Sequence, residues 1–237
     1  MDNIELPSII SISGSTACGK SFLTRRLLNE RLMSKLDYIF IFSPTSNLSR
    51  DWDDGFKETP VKSVDIYPRI VHVNKDFEKV ARDIFEKQGK IKTSLNAASD
   101  SEKKNASTPR TLLIFDDLGN NPIFRFNGFL DKVCISSRHY NISMLIIAQR
   151  ISAIPRTLRL NSAYFIVFNS FNYSEIERFL AEYVQKKNKK VLLDKLESIY
   201  NEPYNFIFCD NKTNSLNTRL YKNGTELIKF VLPASCK

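Results

Sequence analysis

Eight residues, Gly14-Ser15-Thr16-Ala17-Cys18-Gly19-Lys20-Ser21, sit between the apolar run Ile9-Ile10-Ser11-Ile12 and Leu23, Leu27, Leu28 and Leu32, which fall on one face of a helix. They satisfy the pattern G-x-x-x-x-G-K-[ST] in full. A strand, a glycine-bounded loop and a helix in succession leave few folds open. The loop's backbone N–H groups and the positive end of the helix converge on one small space that suits phosphate oxygens. In such a loop Lys20 is expected to set its ammonium on the β and γ phosphates of ATP, and the Ser21 hydroxyl to ligate Mg²⁺. The expected nucleotide contacts are Gly14, Ser15, Thr16, Ala17, Cys18, Gly19, Lys20, Ser21 and the adjoining Phe22. Cys18, beside a helix N-terminus, is expected to have a lowered thiol pKa.

The rest of the chain repeats the alternation. Apolar, β-rich runs recur at Tyr38-Ile39-Phe40-Ile41-Phe42, Ile70-Val71-His72-Val73, Leu112-Leu113-Ile114-Phe115, Met144-Leu145-Ile146-Ile147 and Tyr164-Phe165-Ile166-Val167-Phe168. Such continuous apolar strands belong to sheets buried on both faces. Three helical stripes lie between or after them: Phe77 to Phe85, Phe126 to Cys134, and Ile176 to Val184 with Ser174 placed to cap its start. The pattern predicts an α/β P-loop NTPase with a mainly parallel sheet covered by helices on both faces. Its 237 residues suit a single domain. Residues 92–109, rich in Ser, Asn, Ala, Lys and Thr, read as a mobile loop, and residues 203–237 as a β-rich extension of shorter strands.

A second motif supplies carboxylates. Leu112 to Phe115 delivers Asp116 and Asp117 to the strand's C-terminal end, where open α/β sheets bind ligands. Asp116 is expected to hold Mg²⁺ and Asp117 to orient or deprotonate the attacking water. Gln149, which ends the strand Met144 to Ala148, offers an amide that can bond both a γ-phosphate oxygen and that water. Arg138, Arg150, Arg156 and Arg159 flank this strand. Arg138 is the first candidate for a guanidinium acting on another subunit's nucleotide, with the other three as alternatives.

Composition narrows the partners. Thirty-five Lys and Arg against 26 Asp and Glu give a formal charge of +9, which favours a polyanion such as nucleic acid. Lys103, Lys104, Lys186, Lys187, Lys189 and Lys190 are candidate phosphate contacts, although such runs are also ordinary solvated surface. No run approaches the ~18 apolar residues that span a bilayer, and no secretory signal is visible. A soluble, intracellular protein is expected. The four scattered cysteines show no metal-ligand spacing and read as reduced thiols.

Two other readings use the same residues. Asp116-Asp117-Leu118-Gly119 fits the D-x-x-G of a GTPase switch, and Asn211-Lys212-Thr213-Asn214 faintly matches a guanine-specifying N-K-x-D, with Asn in place of the final Asp. A small-molecule or nucleoside kinase shares the phosphate loop, but no lid or acceptor site is visible. A non-catalytic nucleic-acid-binding protein explains the charge and leaves the ordered motifs unexplained.

The loop at Gly14 to Ser21, Asp116-Asp117 closing a strand, and Ser137-Arg138-His139-Tyr140-Asn141-Ile142-Ser143 leading into Ile146-Ile147-Ala148-Gln149 together resemble the viral genome-packaging ATPases. The similarity is to the poxvirus-type branch of the FtsK/HerA group, found in large DNA viruses and virophages. Ile154-Pro155-Arg156-Thr157-Leu158-Arg159-Leu160-Asn161 continues it, and the likeness covers roughly residues 6 to 210. Many of the wider group carry Glu where this chain has Asp117. The resemblance implies an additional-strand ATPase sheet and a homo-oligomeric ring. It also implies ATP-driven movement of double-stranded DNA into a preformed capsid, with capsid or portal proteins as partners. Its setting would be the host-cell cytoplasm or a viral factory, with association to the virion.

Overall fold

All six apolar runs form strands, and the first of them lies between the fifth and the sixth. The computed structural model describes residues 4–44, 52, 68–98, 107–169, 172–183, 189–213 and 219–228, the side chains of 189–192 excepted. Strands β1 (Ile9–Ser13), β2 (Tyr38–Phe42), β3 (Arg69–Val73), β4 (Thr111–Asp116), β5 (Ile142–Ala148) and β6 (Tyr164–Phe168) run parallel. Three shorter strands, β7 (Phe206–Asp210), β8 (Leu220–Lys222) and β9 (Glu226–Leu227), then add antiparallel to the edge at β6. The nine-stranded order is β3-β2-β4-β5-β1-β6-β7-β8-β9. Strand β5 is therefore inserted between β1 and β4, the additional-strand arrangement. Residues 229–231, expected to continue the last strand, lie outside the described residues.

Alternate residues of each strand enter opposite cores, as the two-residue period of a pleated sheet requires. On one side Ile10, Ile12, Ile39, Ile41, Leu112, Ile114, Leu145 and Ile147 pack beneath α1 (Lys20–Leu27) and its continuation, a π-helical turn at Leu28–Leu32 and a 3₁₀ turn at Met33–Lys35. On the other side Phe42, Leu113, Phe115, Met144, Ile146, Phe165 and Val167 meet five helices. These are α2 (Phe77–Ala97), α3 (Phe129–Val133), α4 (Arg156–Asn161), α5 (Tyr173–Tyr183) and α6 (Lys189–Tyr200).

Three local expectations change. Helix α2 runs on to Ala97, so residues 92–97 are helical rather than loop. Its buried Gln88 donates to the Pro109 carbonyl at 2.8 Å and to Thr111 Oγ1 at 2.7 Å, which ties the helix to the start of β4. Residues 99–106 of the expected loop lie outside the described residues, as do Lys103, Lys104, Lys186, Lys187 and the side chains of Lys189 and Lys190. The stripe from Phe126 yields only the short α3, because the chain turns first. Gly128 N–H donates to the Arg125 carbonyl at 2.8 Å, Asn127 is left-handed at φ 56°, and Phe126 stands 83% exposed. Helix α5 is opened by Asn172, whose Oδ1 accepts from the Ser174 N–H at 3.1 Å and from its hydroxyl at 2.7 Å, so Ser174 is not the cap.

Phe115 is fully buried, stacked on Phe42 at 4.8 Å between centroids and met edge-on by Phe124 at 5.8 Å. Phe115→Ala is expected to cost about 3–5 kcal/mol, seen as a lowered urea midpoint with an unchanged m-value.

Candidate nucleotide site

The loop after β1 occupies the C-terminal edge of the parallel sheet. Ser13 pairs with Ala148 of β5, Gly14 N–H donates to the Ala148 carbonyl at 3.3 Å, and Ser15 bonds the Asn169 carbonyl through its N–H at 3.4 Å and its hydroxyl at 3.1 Å. The loop is thus anchored to the exits of both neighbouring strands. Gly14 is needed for space: a Cβ there would lie 2.5 Å from Phe168 Cβ and 2.7 Å from Cys18 Sγ. Gly19 is needed for conformation, at φ 104°, a region that L side chains rarely adopt. It caps α1 with no side-chain hydrogen bond, so no protein oxygen covers the positive end of the helix from the cap position. The Lys20 ammonium is drawn back over the loop, donating to the carbonyls of Gly14 at 2.8 Å and Ser15 at 2.6 Å.

The same edge receives the acidic pair and the amide. Asp116 is in register with Ile147, and Asp117 N–H donates to the Ile147 carbonyl at 3.1 Å, so both carboxylates emerge beside the end of β5. Asp117 is left-handed at φ 54°, a conformation Asp tolerates better than most residues but one that is uncommon outside glycine. Gln149 Nε2 donates to Asp117 Oδ2 at 3.0 Å. The proposed base and the proposed sensor are therefore in direct contact. A residue without a motif completes the group: buried Trp52 donates its indole N–H to Asp116 Oδ2 at 3.0 Å. Nothing in the pattern around Trp52 marks it, since its partner is 64 residues away.

Ser21 and Asp116 present a hydroxyl and a carboxylate. That all-oxygen donor set fits Mg²⁺, which takes few protein ligands and keeps waters and phosphate oxygens for the rest. Among the described residues no group of three or more His, Cys, Asp or Glu forms a closed metal cage.

With the loop, the paired carboxylates and the inserted strand in place, one comparison decides the family. The family model for the Poxvirus A32 protein matches residues 4–212. The chain belongs to that family. Among relatives, the DNA packaging protein OPG160 of Variola virus is 25% identical over 201 residues, covering 83% of this chain and 65% of that protein. Its namesake from the Copenhagen strain of Vaccinia virus is 26% identical with the same coverage. The match thus falls just short of two thirds of these relatives' length. The fold matches that of the genome packaging NTPase B204 from Sulfolobus turreted icosahedral virus 2 in complex with AMPPCP. The TM-score is 0.58 at 18% identity, over 92% of this chain and 98% of that one. The conjugation coupling protein TcpA of pCW3, solved with ATPgS, gives 0.58 at 15% identity over 94% and 59%. These similarities establish the P-loop NTPase fold.

In this A32-family chain the four arginines part company. Arg138 is exposed in a 3₁₀ turn (Ser137–Tyr140) that precedes β5, roughly 20 Å along the strand from Gln149, so it does not reach the site of its own chain. Arg150 is exposed next to Gln149, and Arg156 is exposed at the start of α4. Arg159 is not available as an arginine for a neighbour. It is 4% exposed, pairs with Glu182 through Nε at 2.8 Å and Nη2 at 2.6 Å, and donates Nη1 to the carbonyls of Ile151 and Ile154. Close by, Glu175 accepts from the Ser152 N–H at 2.9 Å and its hydroxyl at 2.7 Å, so the chain leaving β5 is held to α5 twice.

The GTPase alternative is not favoured, and one further expectation is corrected. Asn211 and Lys212 follow Asp210, which pairs with Tyr164 at the start of β6, the sheet edge opposite the phosphate loop. Asn211 donates to the Ser162 carbonyl and Lys212 pairs with Glu5, so these residues cannot read a base held at Gly14 to Ser21, and the GTPase motif is coincidental. Cys18 does not have a lowered pKa. Burial raises it, against the downward pull of the Lys20 ammonium.

Removing Arg159 strands a nearly buried carboxylate and two carbonyls, so Arg159→Ala is expected to cost about 3–5 kcal/mol in chemical denaturation. Arg150→Ala and Arg156→Ala are expected to stay within about 0.5 kcal/mol. Trp52 is the one tryptophan of the chain. Its emission is expected to shift when nucleotide and Mg²⁺ are added together and to return on chelation; an emission indifferent to both would separate Asp116 from the metal.

Proposed function

We propose that this chain is the ATP-hydrolysing motor that drives double-stranded viral DNA into a preformed capsid. The observation that carries the reading is the gathering of the Gly14–Ser21 loop, Asp116, Asp117 and Gln149 on one edge of the sheet, with Gln149 bonded to Asp117. Membership of the Poxvirus A32 protein family, with relatives named DNA packaging protein, supports the DNA as cargo, and the charge of +9 suits a polyanion.

The roles follow from position. Loop N–H groups and the start of α1 hold the triphosphate, and Lys20 exchanges the Gly14 and Ser15 carbonyls for β- and γ-phosphate oxygens. Ser21 and Asp116 hold Mg²⁺, with Trp52 fixing the carboxylate's orientation. When bound, the ion neutralises charge developing on the phosphates. Asp117 orients the attacking water and accepts its proton. Gln149, already bonded to Asp117, exchanges that partner for the water or a γ-phosphate oxygen, so its position registers whether the γ-phosphate is present. A homo-oligomeric ring places an arginine of one subunit at the nucleotide of the next. Arg138, exposed on the far edge of the sheet, is the first candidate for that role, with exposed Arg150 and Arg156 as the other candidates. Capsid or portal proteins complete the assembly, in the cytoplasm or viral factory of an infected cell. Among the described residues no helix is long and apolar enough to cross a membrane.

Hydrolysis of ATP and GTP by the purified protein, with and without double-stranded DNA, tests the reading. Turnover is expected to favour ATP and to rise with DNA. Lys20→Ala is expected to lose at least about a hundredfold in turnover with the fold intact. Asp117→Asn is expected to bind ATP normally while losing about 10²–10⁴ in rate. Selective GTP turnover indifferent to DNA, or normal turnover by Lys20→Ala, would overturn it.

A further inference from the structure

Beside the phosphate loop opens a cleft of about 770 Å³, between α1 and the ends of β6, β7 and β8. Its wall is mostly ring and aliphatic carbon, from Phe22, Leu27, Phe168, Tyr204 and Phe206, and it begins at Gly19, the residue that caps α1. Two of these rings are turned outward: Phe22 is 66% exposed and Tyr204 70%. Aromatic surface left open on two separate elements, at the mouth of one cleft, marks a place where something flat and apolar is covered.

Tyr204 is held there against its own backbone preference. It has φ 64°, in the left-handed region that bulky side chains rarely enter, so the fold stores strain to present this ring. The hold is visible in the next residue. Buried Asn205 donates Nδ2 to the Ile199 carbonyl and to Glu202 Oε2, each at 2.8 Å, and accepts from Asn223 Nδ2 at 2.8 Å. Asn223 Oδ1 in turn accepts from the Phe206 N–H at 3.0 Å. This asparagine clasp locks the chain entering β7 onto the β8–β9 turn. Tyr204 Cδ1 then lies 3.4 Å from where a Cβ on Gly19 would be, with Phe168 Cε1 at 3.5 Å. The ring therefore leans on the very residue from which the loop turns into α1.

We propose that this cleft seats the purine base and ribose of the nucleotide whose phosphates lie on the loop, with Phe22 and Tyr204 stacking on the base. The proposal rests on the reading of Gly14 to Ser21 as the phosphate site. Continuity argues for this occupant: a nucleotide anchored at Gly14 to Ser21 has its base within reach of a cleft that starts at Gly19. An aromatic wall suits a π-face, and stacking is the interaction a purine offers most of. The clasp supplies the pre-organisation, since the ring is positioned before a ligand arrives and little ordering is left to be done on binding.

Equilibrium titration of ATP and of inorganic triphosphate, each with Mg²⁺, into wild type, Tyr204→Asn, Phe22→Ala and Lys20→Ala tests it. Asn accepts the left-handed backbone, so Tyr204→Asn removes the ring without disturbing the turn. Tyr204→Asn and Phe22→Ala are each expected to weaken ATP about tenfold and leave triphosphate within about twofold, while Tyr204→Phe restores ATP binding. Lys20→Ala is expected to weaken both ligands, and its failure to do so would strike the phosphate-loop reading instead. Wild-type ATP affinity in Tyr204→Asn and Phe22→Ala would overturn the proposal. So would a parallel loss of ATP and triphosphate in Tyr204→Asn, which would make the ring a prop for Gly19.

Discussion

The ladder joining β4, β5 and β1 is the constraint on which the rest of the site depends. Because these strands run parallel and in register, with Asp116 opposite Ile147 and Ser13 opposite Ala148, they end at the same height. Every group that could touch a phosphate or an attacking water then leaves the sheet from one edge. A slip of one residue in either ladder would send each side chain of a strand into the opposite core, where it does not fit its neighbours, and would shift that strand's end by about 3.3 Å. Hydrophobic burial on both sides of the sheet therefore fixes the chemistry's geometry, although none of the buried residues takes part in it.

Burial is divided unequally between the faces. Five helices cover one side, whereas α1 and the turns that follow it are the chief cover of the other, joined there by Ile4, Leu36 and Trp52. The helix that begins at the phosphate loop is thus also a main roof of a core, which gives the loop a rigid base. Trp52 belongs to the same core through its ring and to the site through its N–H, so packing and carboxylate orientation are settled by one side chain.

Much of this was legible in the sequence because it depends on local pattern. The phosphate loop, the six parallel strands and the α/β class follow from glycine spacing and from apolar runs of strand length. What was not legible depends on partners far along the chain. The Trp52–Asp116 bond has no local signature, and nothing beside Arg159 announces that Glu182 will bury it. The stripe from Phe126 to Cys134 had the right period for a helix, but a turn at Asn127 and Gly128 claimed its first part. The Lys92 to Ala97 segment had loop-like composition, yet the helix continues through it, with Lys92 donating to the distant His139 carbonyl at 2.6 Å. Cys18 shows two opposing influences: the helix terminus and Lys20 favour thiolate, and burial, invisible in sequence, outweighs them.

The paired tethers at the exit of β5 have a mechanical meaning. Glu175 and Glu182 stand seven residues apart, two turns along the same face of α5, and grip Ser152 and Arg159 on the segment that begins immediately after Gln149 and Arg150. A helix that supplies no group to the nucleotide is in this way geared to the residue that would feel the γ-phosphate. Charge-assisted bonds at both ends of the grip leave little slack between α5 and the segment that leaves β5, so the two are held as one unit beside Gln149.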